Sequence, residues 1–407
     1  MIRGRSRRAW GHWRVASALS MAIIPSGVGI APHAVQLAQS SVTPLRPAMT
    51  INPVKTATES TDYLAGSLGT REVPSTRALA TAVGIERCTF IDKTRSVMNY
   101  ATSPATIRST HRTLLTEIRY PTSVLTKDSN DSYDAAPLAH RGGYPLILFA
   151  HGYDVSPDTY AALLDDWARA GFVVIAPFFP DEKYSAVTAQ HGADTEGDLV
   201  NEPADVAFVA RQVIDDSRAF SPGCPIVHAL VNPSHIALAG QSDGANAIAT
   251  LTYEQGLDPQ GVPFARLDQG LHIQAIVILS GQEAPARSYA APASSPPLLM
   301  VQSRQDQCNS IRSAVMLYRD VHQVDKWFLE LQTAHHLPPY DGVDKPAFRI
   351  VVATTVHFFT TSLQVARLST SLFAFANHAP TLAQMFDDQS GPPLTNLPVF
   401  TGVCGLT

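Results

Sequence analysis

His235-Ile236-Ala237-Leu238-Ala239-Gly240-Gln241-Ser242-Asp243-Gly244 reads as an apolar strand running into a tight turn, with a helical pattern (ANAIATLTYEQ) directly behind it. Gly240, Ser242 and Gly244 set out G-x-S-x-G inside that turn. A serine at the apex of a sharp strand-to-helix turn sits in a strained backbone conformation. Small residues two before and two after it let the strand and helix approach without a clash. The hydroxyl is pushed out at the end of the sheet, in front of a helix N-terminus. The pentapeptide alone is common. The strand before it and the helix after it make Ser242 a candidate nucleophile rather than part of an ordinary glycine-rich turn.

The flanking sequence repeats the same alternation. Upstream, TLLTEIRY (113–120) reads as a strand closed by Pro121, and YPLILFA (144–150) as a strand buried on both faces. A helical pattern carrying Leu163, Leu164, Trp167 and Ala168 ends at Gly171, and FVVIAP (172–177) is the next strand. Residues 181–200 read as a long polar loop. Asn201 and Pro203 open a helix through Val206, Phe208, Val209 and Val213. Downstream come strands at 273–280, 297–301 and 327–331, a loop at 281–296, helices at 309–321 and 348–365, and a short helix with an irregular tail over 381–407. Strands alternating with helical segments of this length predict an α/β fold with a mostly parallel central sheet and helices on both faces.

In such a sheet, reactive groups gather beyond the carboxyl ends of the strands. A serine hydroxyl needs a base, and the base needs an orienting acid. The 144–150 strand ends in His151-Gly152-Tyr153, where glycine permits a sharp turn that presents a backbone N–H; His151 itself reads as a structural hydrogen-bonding residue. Asp243, directly after the serine, offers a second N–H toward a developing oxyanion. The 297–301 strand leads to Asp306, the candidate acid. The 327–331 strand leads to His335 and His336, two adjacent candidates for the base. The order serine, acid, histidine is one of the known triad orders. Tyr153, Phe178, Phe179 and Tyr340 are candidates for an apolar substrate pocket.

The chain has 407 residues, 45% hydrophobic and 16% charged, which suits a globular protein with a substantial core. Its mild negative charge and lack of a basic stripe speak against nucleic acid as a partner. Arg3, Arg5, Arg7, Arg8 and Arg14 precede an apolar run, VASALSMAII (15–24), that is too short to span a bilayer before Pro25 interrupts it. A basic start, a short apolar core and small residues beyond it predict an export signal over residues 1–38, with GIA (29–31) or PHA (32–34) as cleavage ends. Ser6-Arg7-Arg8 faintly suggests a twin-arginine signal. Losing those five arginines from 30 basic residues, against 35 acidic ones, makes an exported form distinctly acidic. Residues 39–80, rich in Thr, Ser, Ala and Pro, read as a linker or loosely ordered arm ahead of a domain spanning 81–407. Cys88, Cys224, Cys308 and Cys404 permit two disulfides in three connectivities, and a bridge at Cys308 would brace the loop carrying Asp306.

PLILFAHGY, VNPSHIALAGQSDGANA, PPLLMVQSRQD and AHHLPPY resemble the α/β-hydrolase superfamily, specifically secreted bacterial esterases similar to platelet-activating-factor acetylhydrolase, chlorophyllase and cutinase-like polyester hydrolases. D-x-x-R at Asp92–Arg95 and RTLLTEIRYP resemble the family's N-terminal strands. The resemblance implies an α/β-hydrolase fold with Ser242 as nucleophile and Asp306 as acid. It selects His336, the histidine before Leu-Pro-Pro-Tyr, as base, and assigns the oxyanion amides to Tyr153 and Asp243. Polyester hydrolases carry G-H-S-M-G-G and a substrate-stacking tryptophan; GQSDGA and GQEAPARSYA here have neither, which argues against polymer hydrolysis. The expected activity is cleavage of a small or lipid-like carboxylic ester by an exported serine hydrolase without metal or organic cofactor and without a stable membrane span. The alternatives are a peptidase, a dienelactone-type hydrolase (disfavoured by serine at the elbow), or a silent hydrolase fold used for binding.

Overall fold

The computed structural model describes residues 82–100, 102–124, 131–180, 196–282, 289–291, 295–322, 324–366, 372 and 381–399. The expected export signal and the 39–80 arm lie outside the described residues, as does most of the 181–200 loop.

Twelve strands are described: β1 (Ala82–Asp92), β2 (Val97–Asn99), β3 (Thr106–Ser109), β4 (Arg112–Thr122), β5 (Asp131–Tyr133), β6 (Tyr144–Ala150), β7 (Val173–Pro177), β8 (Val231–Gln241), β9 (Ile273–Leu279), β10 (Leu298–Ser303), β11 (Lys326–Leu331) and β12 (Ala383–Asp387). Ten of them form one sheet in the order β12-β11-β10-β9-β8-β6-β7-β4-β1-β5, while β2 and β3 pair separately. The run from β7 to β11 is parallel throughout, and β4 and β12 flank it antiparallel.

The near-continuous apolar runs have a simple cause. Side chains alternate between faces along a strand, and here both faces are covered. Leu146, Leu148, Ile236, Leu238, Ile276, Ile278, Leu298 and Met300 join one core layer. Ile147, Phe149, Ala237, Ala239, Val277, Leu279, Leu299 and Val301 join the other. Helices Glu202–Arg218, Asp243–Tyr253 and Ile311–Asp320 cover the first face, through Val206, Val209, Ile248, Ala314 and Val315. Helices Ala161–Arg169 and Lys345–Ser362 cover the second, through Leu163, Leu164, Trp167, Val351 and Phe359.

Two sequence expectations change. The last helix starts a turn earlier than its apolar pattern, because the Asp344 side chain accepts from the Ala347 N–H and Pro346 fits the first turn. The short helix expected after residue 381 is instead the edge strand β12. Ala383 and Met385 are buried while Gln384 between them is exposed, a period of two that pairs with β11 from Leu331 to Trp327.

The Asp92–Arg95 motif proves structural. Arg95 donates to Asp92 at 2.6 Å and to Asp205 at 2.6 Å, and the fully buried Arg112 grips Asp205 with two nitrogens at 2.8 and 2.6 Å. Arg112 also reaches Asp198 at 2.5 Å. This closed set of charge-assisted hydrogen bonds ties β1 and β4 to the short helix Glu196–Asn201 and to helix Glu202–Arg218. Cys88 and Cys224 form a disulfide that joins β1 to the segment following that helix. Cys308 is also disulfide-bonded; Cys404 lies outside the described residues.

Candidate active site

The register of the sheet brings five strand ends level. Ala150 pairs with Gly240, Gln241 with Leu279, Leu279 with Val301, and Ser303 with Leu331. The loops leaving β6, β8, β9, β10 and β11 therefore open on one edge of the sheet.

Ser242 stands at the elbow between β8 and helix Asp243–Tyr253, with φ +54° and ψ −121°. A positive φ in a residue with a Cβ is uncommon and costs free energy. It is held on both sides: the Ser242 N–H donates to the Leu279 carbonyl at 3.0 Å, and the Ser242 carbonyl accepts from Asn246 at 3.0 Å. The two motif glycines are required by close approach. A Cβ on Gly244 would lie 2.2 Å from the Ala150 carbonyl oxygen, and one on Gly240 would lie 2.4 Å from the Gly244 carbonyl oxygen. No side chain fits at either position.

The other two predicted residues meet the serine. His336 Nε2 lies 2.9 Å from Ser242 Oγ, and His336 Nδ1 lies 2.8 Å from Asp306 Oδ2. Asp306 can only accept when ionised, so Nδ1 carries the proton and Nε2 presents its lone pair to the serine hydroxyl. The Asp306 carboxylate is filled on all sides. Oδ1 accepts from the backbone N–H groups of Cys308 and Asn309 at 2.9 and 2.8 Å, and Oδ2 accepts from Gln302 Nε2 at 3.0 Å as well as from His336. Asn309 in turn donates to the Ser280 carbonyl at 2.6 Å, tying the acid loop to the end of β9. His336 is buried, whereas His335 is exposed.

Asp306, Cys308 and His336 also form the one cluster of metal-type ligands among the described residues. They do not suit a cation: the cysteine is in a disulfide, and the carboxylate already faces four donors.

Tyr153 and Asp243 line the same cleft as Ser242 and His336, a hollow of ≈ 220 Å³ open to solvent. Asp243 is the first residue of its helix, where backbone N–H groups point outward and the helix dipole favours negative charge. Gly152 gives its own N–H to the Tyr160 hydroxyl at 3.2 Å, so Tyr153 is the next amide along the turn. Val155, Leu337, Gln282 and Asn309 complete much of the wall. The aromatic pocket expected from sequence is corrected. Of its four members only Tyr153 lines the cleft. Phe178 is buried beneath the Arg87 guanidinium, Phe179 packs on the His151 ring, and the Tyr340 hydroxyl is engaged with Ser280 and the Val301 carbonyl.

His151 is buried, with no carboxylate partner among the described residues. Its Nδ1 faces the Gly152 carbonyl at 2.9 Å, and its Nε2 accepts the Phe179 N–H at 3.3 Å. Burial pushes the imidazole down to about 4. The unfolded chain, with an ordinary histidine, binds this proton at a higher pH than the folded one. Folding stability from this group is complete above about pH 6.5 and falls as the pH drops toward 4, by ~3 kcal/mol in all. His151→Gln, which accepts and donates but does not titrate, should flatten that stretch of the stability–pH curve. Urea unfolding between pH 7 and 4.5 measures it; equal slopes in the two proteins would remove His151 from the acid response.

Sequence reading missed two polar residues around this site, Gln302 and Tyr160. Gln302 supports Asp306, while Gln241 and Tyr160 join the β6 turn to His336. Gln302 and Gln241 were visible as lone amides at the ends of apolar strands, a signal that a buried polar group needs a specific partner.

A family model described as Chlorophyllase matches residues 135–256, from ahead of β6 to just beyond the elbow helix. Among solved structures, the ferulic acid esterase from Streptomyces cinnamoneus is similar at 16% identity with a TM-score of 0.51, over 73% of this chain and 93% of that one. No curated protein matches the chain. The shared architecture is that of the α/β-hydrolases.

Proposed function

We propose that this chain is a carboxylic ester hydrolase of the α/β-hydrolase superfamily, that it works through an acyl-enzyme on Ser242, with His336 as base and Asp306 as orienting acid, and that it acts after export from the cytoplasm. The observation that carries the reading is the unbroken relay Ser242 Oγ–His336 Nε2 at 2.9 Å and His336 Nδ1–Asp306 Oδ2 at 2.8 Å, opening on a cleft. Ser242 Oγ attacks the ester carbonyl while Nε2 takes its proton. Asp306 keeps the imidazole in the required tautomer and stabilises the imidazolium. The Tyr153 and Asp243 amides receive the oxyanion, each donor of this kind being worth about 2.7–4 kcal/mol of barrier. His336 returns the proton to the leaving alcohol. Water then repeats the sequence on the acyl-enzyme and frees the acid. Export is supported by the arginine-rich start with its short apolar run, and agrees with the Cys88–Cys224 disulfide. No described helix is long and apolar enough to cross a membrane.

The test is a fluorophosphonate probe together with p-nitrophenyl esters from acetate to palmitate. We expect stoichiometric labelling, the modified peptide containing Ser242, and loss of ester turnover in step with it. A folded protein that neither labels nor turns over any of these esters would instead be a silent binding fold, and labelling with peptide but no ester turnover would make it a peptidase.

A further inference from the structure

We infer that Gln241 and Tyr160 act as a positioning pair that fixes the base and the oxyanion turn relative to one another and sets a neutral amide against the base. The inference rests on the acyl-enzyme reading and goes beyond its three residues.

Both side chains are buried. Tyr160 ends the single turn Pro157–Tyr160, its ring packed edge-on against Phe149 with centroids 4.9 Å apart. Burial pushes its phenol far above the ordinary tyrosine range, so the hydroxyl keeps its hydrogen. That hydroxyl accepts the Gly152 N–H at 3.2 Å and donates to Gln241 Oε1 at 2.6 Å. At the other end of the amide, Gln241 Nε2 lies 3.4 Å from the His336 carbonyl and 3.3 Å from His336 Nε2. The orientation of the amide follows from its partners. A carbonyl only accepts, so the NH2 faces His336 and the oxygen faces Tyr160. The chain of contacts runs from the turn that presents the Tyr153 amide to the imidazole that takes the serine proton.

Two consequences follow. First, the Gly152–Tyr153 turn and the His336 backbone are held through one neutral bridge, so that the oxyanion donor and the base stay in register. Second, the Gln241 N–H and the Ser242 hydroxyl approach the same Nε2 lone pair. Once Nε2 takes the serine proton that lone pair is gone, and the Gln241 amide keeps only the His336 carbonyl. A hydrogen bond made to the neutral form disfavours protonation. A neutral amide at this point lets the imidazolium release its proton to the leaving alcohol, whereas a carboxylate in the same place would hold it.

Three variants test the pair: Gln241→Glu, which keeps size and the Tyr160 contact, Gln241→Leu and Tyr160→Phe. Gln241→Glu should move the acid limb of the kcat/KM–pH profile for p-nitrophenyl acetate upward by about one pH unit, and should move the His336 titration, followed by the downfield Nδ1–H resonance in NMR, by the same amount. Gln241→Leu and Tyr160→Phe should lower kcat by about 10- to 100-fold with KM within about twofold, and the double variant should be about as slow as the slower single, because the two residues act as one unit. An unmoved His336 titration in Gln241→Glu, or kcat within about threefold of the parent in both neutral variants, overturns the inference. The NMR titration needs no turnover. A parent that fails to label and fails to turn over esters therefore counts against the acyl-enzyme reading, while the His336 shift still decides the role of the pair.

Discussion

Ser242→Ala is expected to lower kcat for p-nitrophenyl esters by about 10⁶-fold, leaving a residue of about 10³-fold or more over water from the cleft and its amides. The size follows from the chemistry of a unit. Without Oγ there is no atom for the His336 lone pair to deprotonate, so the whole covalent route is lost at once. A kcat within about tenfold of the parent would move the nucleophile elsewhere. The same residue carries a stability signature that separates function from fold. At φ +54° alanine inherits the backbone strain of serine, because both carry a Cβ, whereas glycine does not. Ser242→Gly should therefore be as inactive as Ser242→Ala but more stable by ~1 kcal/mol, read as a higher Tm at equal ester inactivity. Equal stability of the two variants would mean that the elbow is not strained.

Asp306→Asn is expected to cost about 10⁴-fold in kcat, with the fluorophosphonate rate falling alongside it. The four donors around the carboxylate show why an isosteric change has so large an effect. The backbone N–H groups of Cys308 and Asn309 both point at Oδ1, so the asparagine oxygen must sit there. Its NH2 is then forced toward Gln302 Nε2 and His336 Nδ1, donors against a donor. The imidazole relieves this by placing its proton on Nε2 and accepting at Nδ1. In that tautomer Nε2 has no lone pair for Ser242. KM should change little, since Asp306 is fully buried and does not line the cleft. A loss below about tenfold would show that His336 holds its tautomer without the acid.

Much of this arrangement was legible in the residues, and the parts that were not share a cause. β6, β8, β9, β10 and β11 read as strands because each carries an apolar run, and the two-layered core explains why those runs do not alternate with polar residues. β12 was misread as helix because five residues next to an irregular tail hold too little pattern; only pairing with β11 gives the alternation of Ala383 and Met385 its meaning. Phe178, Phe179 and Tyr340 looked like pocket walls because aromatic residues after strand ends commonly are. They are buried because Arg87, His151 and Ser280 come to them from distant parts of the chain.

What the sequence determined by itself is local. The Gly240–Ser242–Gly244 spacing dictates a strained elbow, since steric contact between a strand and the helix directly behind it is a short-range matter. The alternation of apolar strands and amphipathic helices dictates the parallel sheet. Spacing alone left His335 and His336 open and the resemblance chose His336; the tertiary structure buries His336 beside Ser242 and leaves His335 in solvent. It alone joined Cys88 to Cys224 across 136 residues. It alone made Tyr160 and Gln302 the partners of Gly152 and Asp306, and gave Gln241 its place against His336. A buried polar group is fixed by whichever donor or acceptor the fold brings within about 3 Å, and that partner lies 81 residues away for Tyr160 and Gln241.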